Sequence, residues 1–476
     1  MVAAPVFGAA SGAGDISWGF MAMELFGGLA LFLFGMEQMC SALKAVAGNR
    51  MRAVLEGLTT NRVVGLLTGL GVTSVIQSSS VTTVMLVGFV SAGLMSLSQS
   101  IGVILGADIG TTITAQIIAF KVTKYALLLI GIGFIPIFIA KSDETRQYGT
   151  LVMGLGMIFL GMFVMTTAMK PLRTYEPFLE LMQHVANPAI GILIATLFTG
   201  LMQSSSAAMG VILALALQGL ISLEAGIALA LGANIGTCIT AGLAAIGKPR
   251  EAVRVAVAHV TFKVLGVLLI VLFIPPFADL VRAISPAEPG LTGLDRLAAE
   301  TPRQIANAHT LFNVGIALLF LPLTTQFARF CEWVVPDRPV GVEEPAAELK
   351  PKYLDETLLS TASLALSSVR LEIGRLGERV KLMFDKIFSA ALFGDEQELQ
   401  AVVDIDEDVD SLHGHIVMFL GKLSMTKLSA REAEELMDLI QAVNYLEHIG
   451  DIIQNNMKTL GMRRIEERIV VSERTM

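Results

Sequence analysis

Charge is what this chain most lacks. Only 16% of its 476 residues are Asp, Glu, Lys or Arg, whereas 54% are hydrophobic and the mean hydropathy is +0.67. Soluble domains carry about a quarter charged residues, so the scarcity excludes an ordinary soluble globule and points to a membrane protein. Cysteine is scarce too. Cys40, Cys238 and Cys331 stand far apart, which excludes a disulfide framework and any thiolate metal or redox spacing. The first 18 residues lack a basic segment, so a cleavable signal peptide is not expected. A net charge of −8, with no basic patch interleaved with aromatics, gives no support to nucleic-acid binding. HExxH, G-x-S-x-G and Walker phosphate loops are all missing. The expectation is a protein that is not an enzyme.

The charges that are present cluster at one end. Residues 1–335 hold 18 Lys and Arg against 16 Asp and Glu, while 336–476 hold 16 against 26, a net −10 over 141 residues. An apolar membrane part (1–335) therefore precedes an acidic, soluble-looking part (353–476), joined by the Pro- and Glu-rich stretch 336–352.

Runs long enough to cross about 30 Å of hydrocarbon lie near 19–42, 149–169, 255–277 and 310–330, with a shorter one at 125–140. Residues 62–120 and 188–247 are equally apolar but broken by Gly, Ser, Thr and Gln. A shift of 126 residues superimposes Gln77-Ser78-Ser79-Ser80 on Gln203-Ser204-Ser205-Ser206, and GADIGTTITA (106–115) on GANIGTCITA (232–241). Between 73 and 115, 19 of 43 positions are identical at that one offset, Thr73 meeting Thr199. Such agreement at polar positions marks a duplication, with repeat 1 near 24–120, repeat 2 near 150–247 and further spans over 255–330.

Loop charges orient the repeats, because Lys and Arg favour the cytoplasmic side. Loops 43–62 and 247–254 carry net +3 and +2, whereas 170–187 and 278–309 carry 0 and −1. Placing the first pair inside and the second outside makes the repeats inverted and ends the acidic part in the cytoplasm. Lys121 and Lys124 dissent, since this arrangement puts them outside. The predicted architecture is all-α: a polytopic membrane protein with two inverted repeats containing broken or re-entrant helices, followed by a soluble helical bundle.

A Gln and three Ser in hydrocarbon are costly unless something satisfies them. One alternative is helix packing by small hydroxyl residues. Recurrence at the same place in both repeats favours a site instead. Inverted-repeat transporters bind cargo where broken helices meet near the midplane, with helix N-termini facing anions and freed oxygens facing cations. Gly106, Gly110, Gly232 and Gly236 are expected to permit the breaks.

Two QSSS motifs, each followed by G-A-[DN]-I-G-T, resemble the type II sodium–phosphate cotransporter family, as do LFLFGMEQM (31–39) and AHTLFNVGIALLFLP (308–322). The resemblance spans roughly 24–330. It implies sodium-coupled movement of inorganic phosphate, with the QSSS segments in facing re-entrant hairpins that hold phosphate and sodium. The residues it marks are Gln77, Ser78, Ser79, Ser80, Gln203, Ser204, Ser205 and Ser206, with Asn234, Thr111 and Thr237 from the second motif; Thr73 and Thr199 join them from the repeat.

Two positions depart from the family pattern. Asp108 stands where Asn is usual, and an intramembrane carboxylate is a functional candidate by default: a charged sodium ligand, a protonated neutral group, or one half of a structural pair. AHVTFKV (258–264) echoes AHTLFNV (308–314) at an offset of 50, so Lys263 replaces the Asn that position 313 keeps. Lys263 lies about 13 Å along a helix from Arg254, inside the membrane. It either neutralises Asp108, faces phosphate, or snorkels to an interface. His259 and His309, in matched contexts, are read as packing residues, as are the methionines at 21, 23, 36 and 39. Glu24 and Glu37 fall in the first span without an assigned role.

Past 354 the pattern is amphipathic and helical. LEHIGD (446–451) resembles a signature of phosphate-uptake regulator (PhoU-like) domains, in which acidic pairs one turn apart bind metal. Glu447 and Asp451 fit that spacing, which implies a divalent or ferric ion, with a solvated acidic face the equal alternative. Asp404 with Asp408, and Asp406 with Asp410, are read first as a solvated face. The stretch matches about half of such a regulator, which implies a homodimer or pairing with a phosphate-signalling partner. The expected whole is a bacterial inner-membrane symporter of phosphate and sodium working by alternating access, its tail cytoplasmic. The rivals are a phosphate exporter, a carrier of another anion, and a non-transporting phosphate receptor.

Overall fold

The computed structural model describes residues 16–56, 61–91, 95–120, 123–185, 187–245, 250–336, 351–360, 362–426 and 428–469. Lys121, Lys248 and most of the 336–352 linker lie outside them. The chain divides into two compact units, Met1–Pro336 and Asp337–Met476.

In the first unit the helices are α1 (Trp18–Glu56), α2 (Arg62–Ile76), α3 (Ser79–Ser91), α4 (Leu97–Ile118), α5 (Ala126–Ile139), α6 (Asp143–Ala168), α7 (Glu176–Val185), α8 (Pro188–Met202), α9 (Ser205–Leu217), α10 (Leu223–Gly236), α11 (Cys238–Ala245), α12 (Arg250–Val271), α13 (Ile274–Ile284), α14 (Gly293–Phe320) and α15 (Thr324–Val334). Among the described residues six helical stretches are long and apolar enough to cross a bilayer. This is a multi-pass membrane protein. Helix α5, with 14 residues, reaches about 21 Å and falls short of a full crossing.

The duplication is visible residue by residue. Shifting by 126 carries both ends of α2 onto those of α8, both ends of α3 onto those of α9, and the start of α4 onto that of α10. The caps agree as well. Asn61 and Asn187 accept backbone N–H bonds at the starts of α2 and α8, and Ser96 and Ser222 do so for α4 and α10. The offset of 50 extends beyond its motif: α13 moved by 50 residues becomes α15, end for end.

The expected span 255–277 is interrupted, α12 ending at Val271 and α13 starting at Ile274, whereas 310–330 lies within one helical stretch, Gly293–Val334, that a 3-10 turn tightens. Pro275 and Pro276 open α13, and Pro322 lies in a short 3-10 turn (Leu321–Leu323) before α15. Proline has no N–H to continue a helical ladder and clashes with the preceding turn, so the α-helical ladder gives way just before Pro275 and at Pro322.

Glycines do a different job from the one expected of them. Helix α4 runs through Gly106 and Gly110 unbroken, and of the four glycines only Gly236 sits at a helix end. A Cβ on Gly106 would lie 1.9 Å from the Leu66 carbonyl oxygen, one on Gly69 2.0 Å from that of Val103, and one on Gly232 2.3 Å from that of Ile192. They let α2 lie directly on α4, and α8 on α10, backbone against backbone, the contact that small residues supply in membranes. Gly28 and Gly161, with Gly35 and Gly154, do the same for α1 and α6.

The second unit is a helical bundle of α16 (Ala362–Phe393), α17 (Glu396–Ser424), α18 (Ala430–Ile452) and α19 (Lys458–Glu466), with a π-helical turn at Ile453–Met457. Leu376, Met383, Ile387, Val409, Leu412, Ile416 and Leu420 line its core. At its start the buried carboxylate of Glu372 accepts the N–H groups of Lys352 and Tyr353 at 2.8 and 2.7 Å.

Candidate functional site

The breaks in the membrane unit fall on the two glutamines. Gln77 ends α2 at φ 59°, ψ 25°, and Gln203 ends α8 at φ 54°, ψ 21°. A left-handed backbone is unusual for a side chain with a Cβ, and here the same strain occurs in both repeats. Each glutamine is held three ways. Its N–H donates to the carbonyl of Thr73 or Thr199, and its Nε2 donates to that of Ser74 or Gly200. Its Oε1 accepts from Thr114 in repeat 1 and from Thr240, at 2.9 Å, in repeat 2. Thr114 and Thr240 escaped the sequence reading, although the shared I-T-A ending of the GADIG and GANIG segments contains them. Thr111 and Thr237, which it chose, turn their hydroxyls back onto their own helices, to the carbonyls of Ala107 and Asn234.

Beyond each glutamine a new helix starts. Ser78 and Ser204 accept the N–H of Val81 and Ala207, at 3.3 and 3.2 Å, and so cap α3 and α9. The hydroxyls of Ser79, Ser80, Ser205 and Ser206 make no side-chain hydrogen bond among the described residues, although Ser79 and Ser206 are buried. The repeats also interlock, α3 packing on α11 and α9 on α4. One asymmetry stands out. Thr73 and Thr82 share a 2.8 Å hydrogen bond, but the counterpart of Thr82 is Ala208, and Thr199 is left buried with a hydroxyl that has no partner among the described residues.

A second polar cluster sits in the core. Asp108 on α4, Asn234 on α10, Lys263 on α12 and Asn313 on α14 are all buried. Lys263 Nζ lies 3.0 Å from Oδ1 of Asp108 and donates to Oδ1 of Asn234 and of Asn313, at 2.7 and 3.0 Å. Lys263 is thus paired rather than snorkelling. His259, read as packing, also meets a charged group: its Nε2 lies 3.3 Å from the same Asp108 oxygen. Its position one turn before Lys263 was the available signal.

In the second unit Asp406 is buried, with Asp410, Glu447 and Asp451 near enough to raise its pKa to about 6, burial contributing most. Asp408 faces Arg379 at 3.8 Å. Among the described residues no three His, Cys, Asp or Glu side chains stand at metal-holding geometry. Glu447 and Asp451 do not by themselves fit the ion expected there.

The model of the family described as Na+/Pi-cotransporter matches residues 31–167 and 173–285, and that of the PhoU domain matches 373–460. A protein of Salmonella typhimurium named "Putative inorganic phosphate export protein YjbB" is 28% identical over 452 residues, covering 95% of this chain and 80% of its own length. "Uncharacterized protein YqeW" of Bacillus subtilis is 33% identical over 309 residues, 65% of this chain and 96% of its own. The rat "Sodium-dependent phosphate transport protein 2A" is 35% identical over 97 residues, 20% of this chain and 15% of its own. No solved structure matches the chain.

Proposed function

The chain belongs to the Na+/Pi-cotransporter family and carries a PhoU domain, and from that premise we propose that it moves inorganic phosphate across the bacterial inner membrane, coupled to sodium, by alternating access. The observation that carries this reading is the matched pair of glutamine breaks, each opening a helix with free serine hydroxyls. The helix starts offer N–H groups and positive dipole ends to an oxyanion, and hydroxyl and carbonyl oxygens suit a hard monovalent cation. Ser79, Ser80, Ser205 and Ser206 contact phosphate and sodium. Gln77, Gln203, Thr114 and Thr240 hold the breaks open, and Ser78 and Ser204 cap the helices. The interlocking of α3 with α11 and of α9 with α4 supports one site shared by two inverted repeats. Sodium screens the phosphate charge, so each ligand strengthens binding of the other.

Net export is the second reading. It is favoured by the relatives from Salmonella typhimurium and Escherichia coli, which span 95% and 91% of this chain and are named for phosphate export. Direction follows the gradients, and the same site serves both. The PhoU domain, for which the loop charges favour the cytoplasmic side, tunes the flux as a homodimer or with a phosphate-signalling partner.

Flux of labelled phosphate through the purified full-length chain in proteoliposomes tests the proposal. A sodium gradient of either sign should drive phosphate with it. Liposomes whose phosphate flux equals that of empty ones would refute the reading.

A further inference from the structure

The ammonium of Lys263 has three donor hydrogens and no acceptor, and it faces three oxygens: Oδ1 of Asp108, Asn234 and Asn313, at 3.0, 2.7 and 3.0 Å. Both amides are fixed with oxygen inward. Nδ2 of Asn234 donates to the Ala230 carbonyl at 3.0 Å and Nδ2 of Asn313 donates to that of His309 at 2.8 Å, so each Oδ1 is left for a cation. The four residues are at most 6% exposed. One carboxylate and two amide oxygens converging in a buried cluster suit a hard monovalent cation. Helices α4, α10, α12 and α14 each contribute one member of the cluster.

Sequence equivalence sharpens the point. Asp108 and Asn234 are the same position of the 126-residue repeat, and Lys263 and Asn313 the same position of the 50-residue echo. Two pairs of equivalent residues therefore meet at one atom. With Asn at 263 the cluster would keep its carboxylate and its amide oxygens but lose its positive charge.

We propose that Lys263 is a tethered cation, its ammonium filling a monovalent-cation site that would otherwise take a sodium ion. This deepens the reading of the chain as a sodium-coupled phosphate carrier and rests on it. The chain then moves phosphate with one fewer free sodium per cycle than the same scaffold with Asn at 263. A cation that never leaves adds no driving force, so the coupling to the sodium gradient is weaker.

The test is equilibrium binding of 22Na+ to the purified full-length protein, comparing wild type, Lys263→Asn and Lys263→Gln. Both variants should bind one more sodium per chain than wild type. Their thermal midpoints should rise in sodium relative to choline by more than that of wild type. An unchanged sodium count in both variants would overturn the proposal. So would failure of both to fold in sodium-containing buffer, because an ion in the vacated site would restore the charge balance. Loss of phosphate binding with an unchanged sodium count would make Lys263 a phosphate ligand instead. Phosphate flux by wild type is a separate measurement. Its absence would remove the carrier reading while the sodium count still judges the tethered cation.

Discussion

Asp108 and Asn234 occupy equivalent places in the two repeats, and both aim Oδ1 at a single atom, Nζ of Lys263, at 3.0 and 2.7 Å. The carboxylate at 108 and the ammonium at 263 are thus a negative and a positive charge in contact. Removing one partner of a buried pair leaves the other uncompensated, at a cost of about 3–5 kcal/mol. In sodium-free buffer Asp108→Asn should lower the thermal midpoint sharply. Asp108→Asn combined with Lys263→Asn should cost less than the sum of the single changes, as a double-mutant cycle by thermal unfolding would show.

Thr73 and Thr199 should respond oppositely to the same change. Thr73→Val removes a hydroxyl bonded to Thr82 and should cost about 1–2 kcal/mol. Thr199→Val removes a buried hydroxyl that has no partner among the described residues and should be neutral or stabilising. If thermal unfolding instead shows Thr199→Val to be the costlier, that hydroxyl binds a ligand.

How far the sequence could be read depended on what each residue type leaves undecided. The duplication and the place of the QSSS segments were legible, because polar residues held at one offset have no compositional explanation. The pairing of Lys263 with Asp108 was one of several open alternatives, since helical rise fixes depth but not which neighbour a side chain meets. The breaks were assigned to Gly106, Gly110, Gly232 and Gly236, yet they fall mainly at Gln77 and Gln203. Glycine serves a break and a close helix contact equally well, and the crossing of α2 on α4 that decides between them is tertiary. Thr114 and Thr240 were missed because a threonine in a helix ordinarily bonds its own backbone, as Thr111 does.

The glycine contacts yield a sharp contrast. Gly106→Ala would place a methyl 1.9 Å from the Leu66 carbonyl oxygen, whereas a Cβ on Gly71 meets nothing within 4 Å. Overpacking against backbone costs about 1–3 kcal/mol or more, while Ala in an open helical position gains about 0.5–1 kcal/mol. Thermal unfolding should show Gly106→Ala destabilised and Gly71→Ala equal to wild type or better.

Asp406 sets a pH dependence in the tail. Its pKa is raised to about 6 by burial and by Asp410, Asp451 and Glu447, above an ordinary value of about 4. The folded state therefore favours the protonated acid. That contribution is full below about pH 4 and is lost as pH rises through about 6. Asp406→Asn imitates the neutral form, so its thermal midpoint relative to wild type should climb between pH 5 and 7.5. A difference that stays constant over that range would show that the acid does not titrate there.

The central claim is that both repeats build one phosphate site. Equilibrium binding of labelled phosphate to the full-length chain in sodium, for wild type, Ser79→Ala and Ser205→Ala, tests it most directly. The account predicts one phosphate per wild-type chain and weakened affinity for that one phosphate in either variant. Two phosphates per chain, with each variant losing one and keeping the other at full affinity, would contradict it.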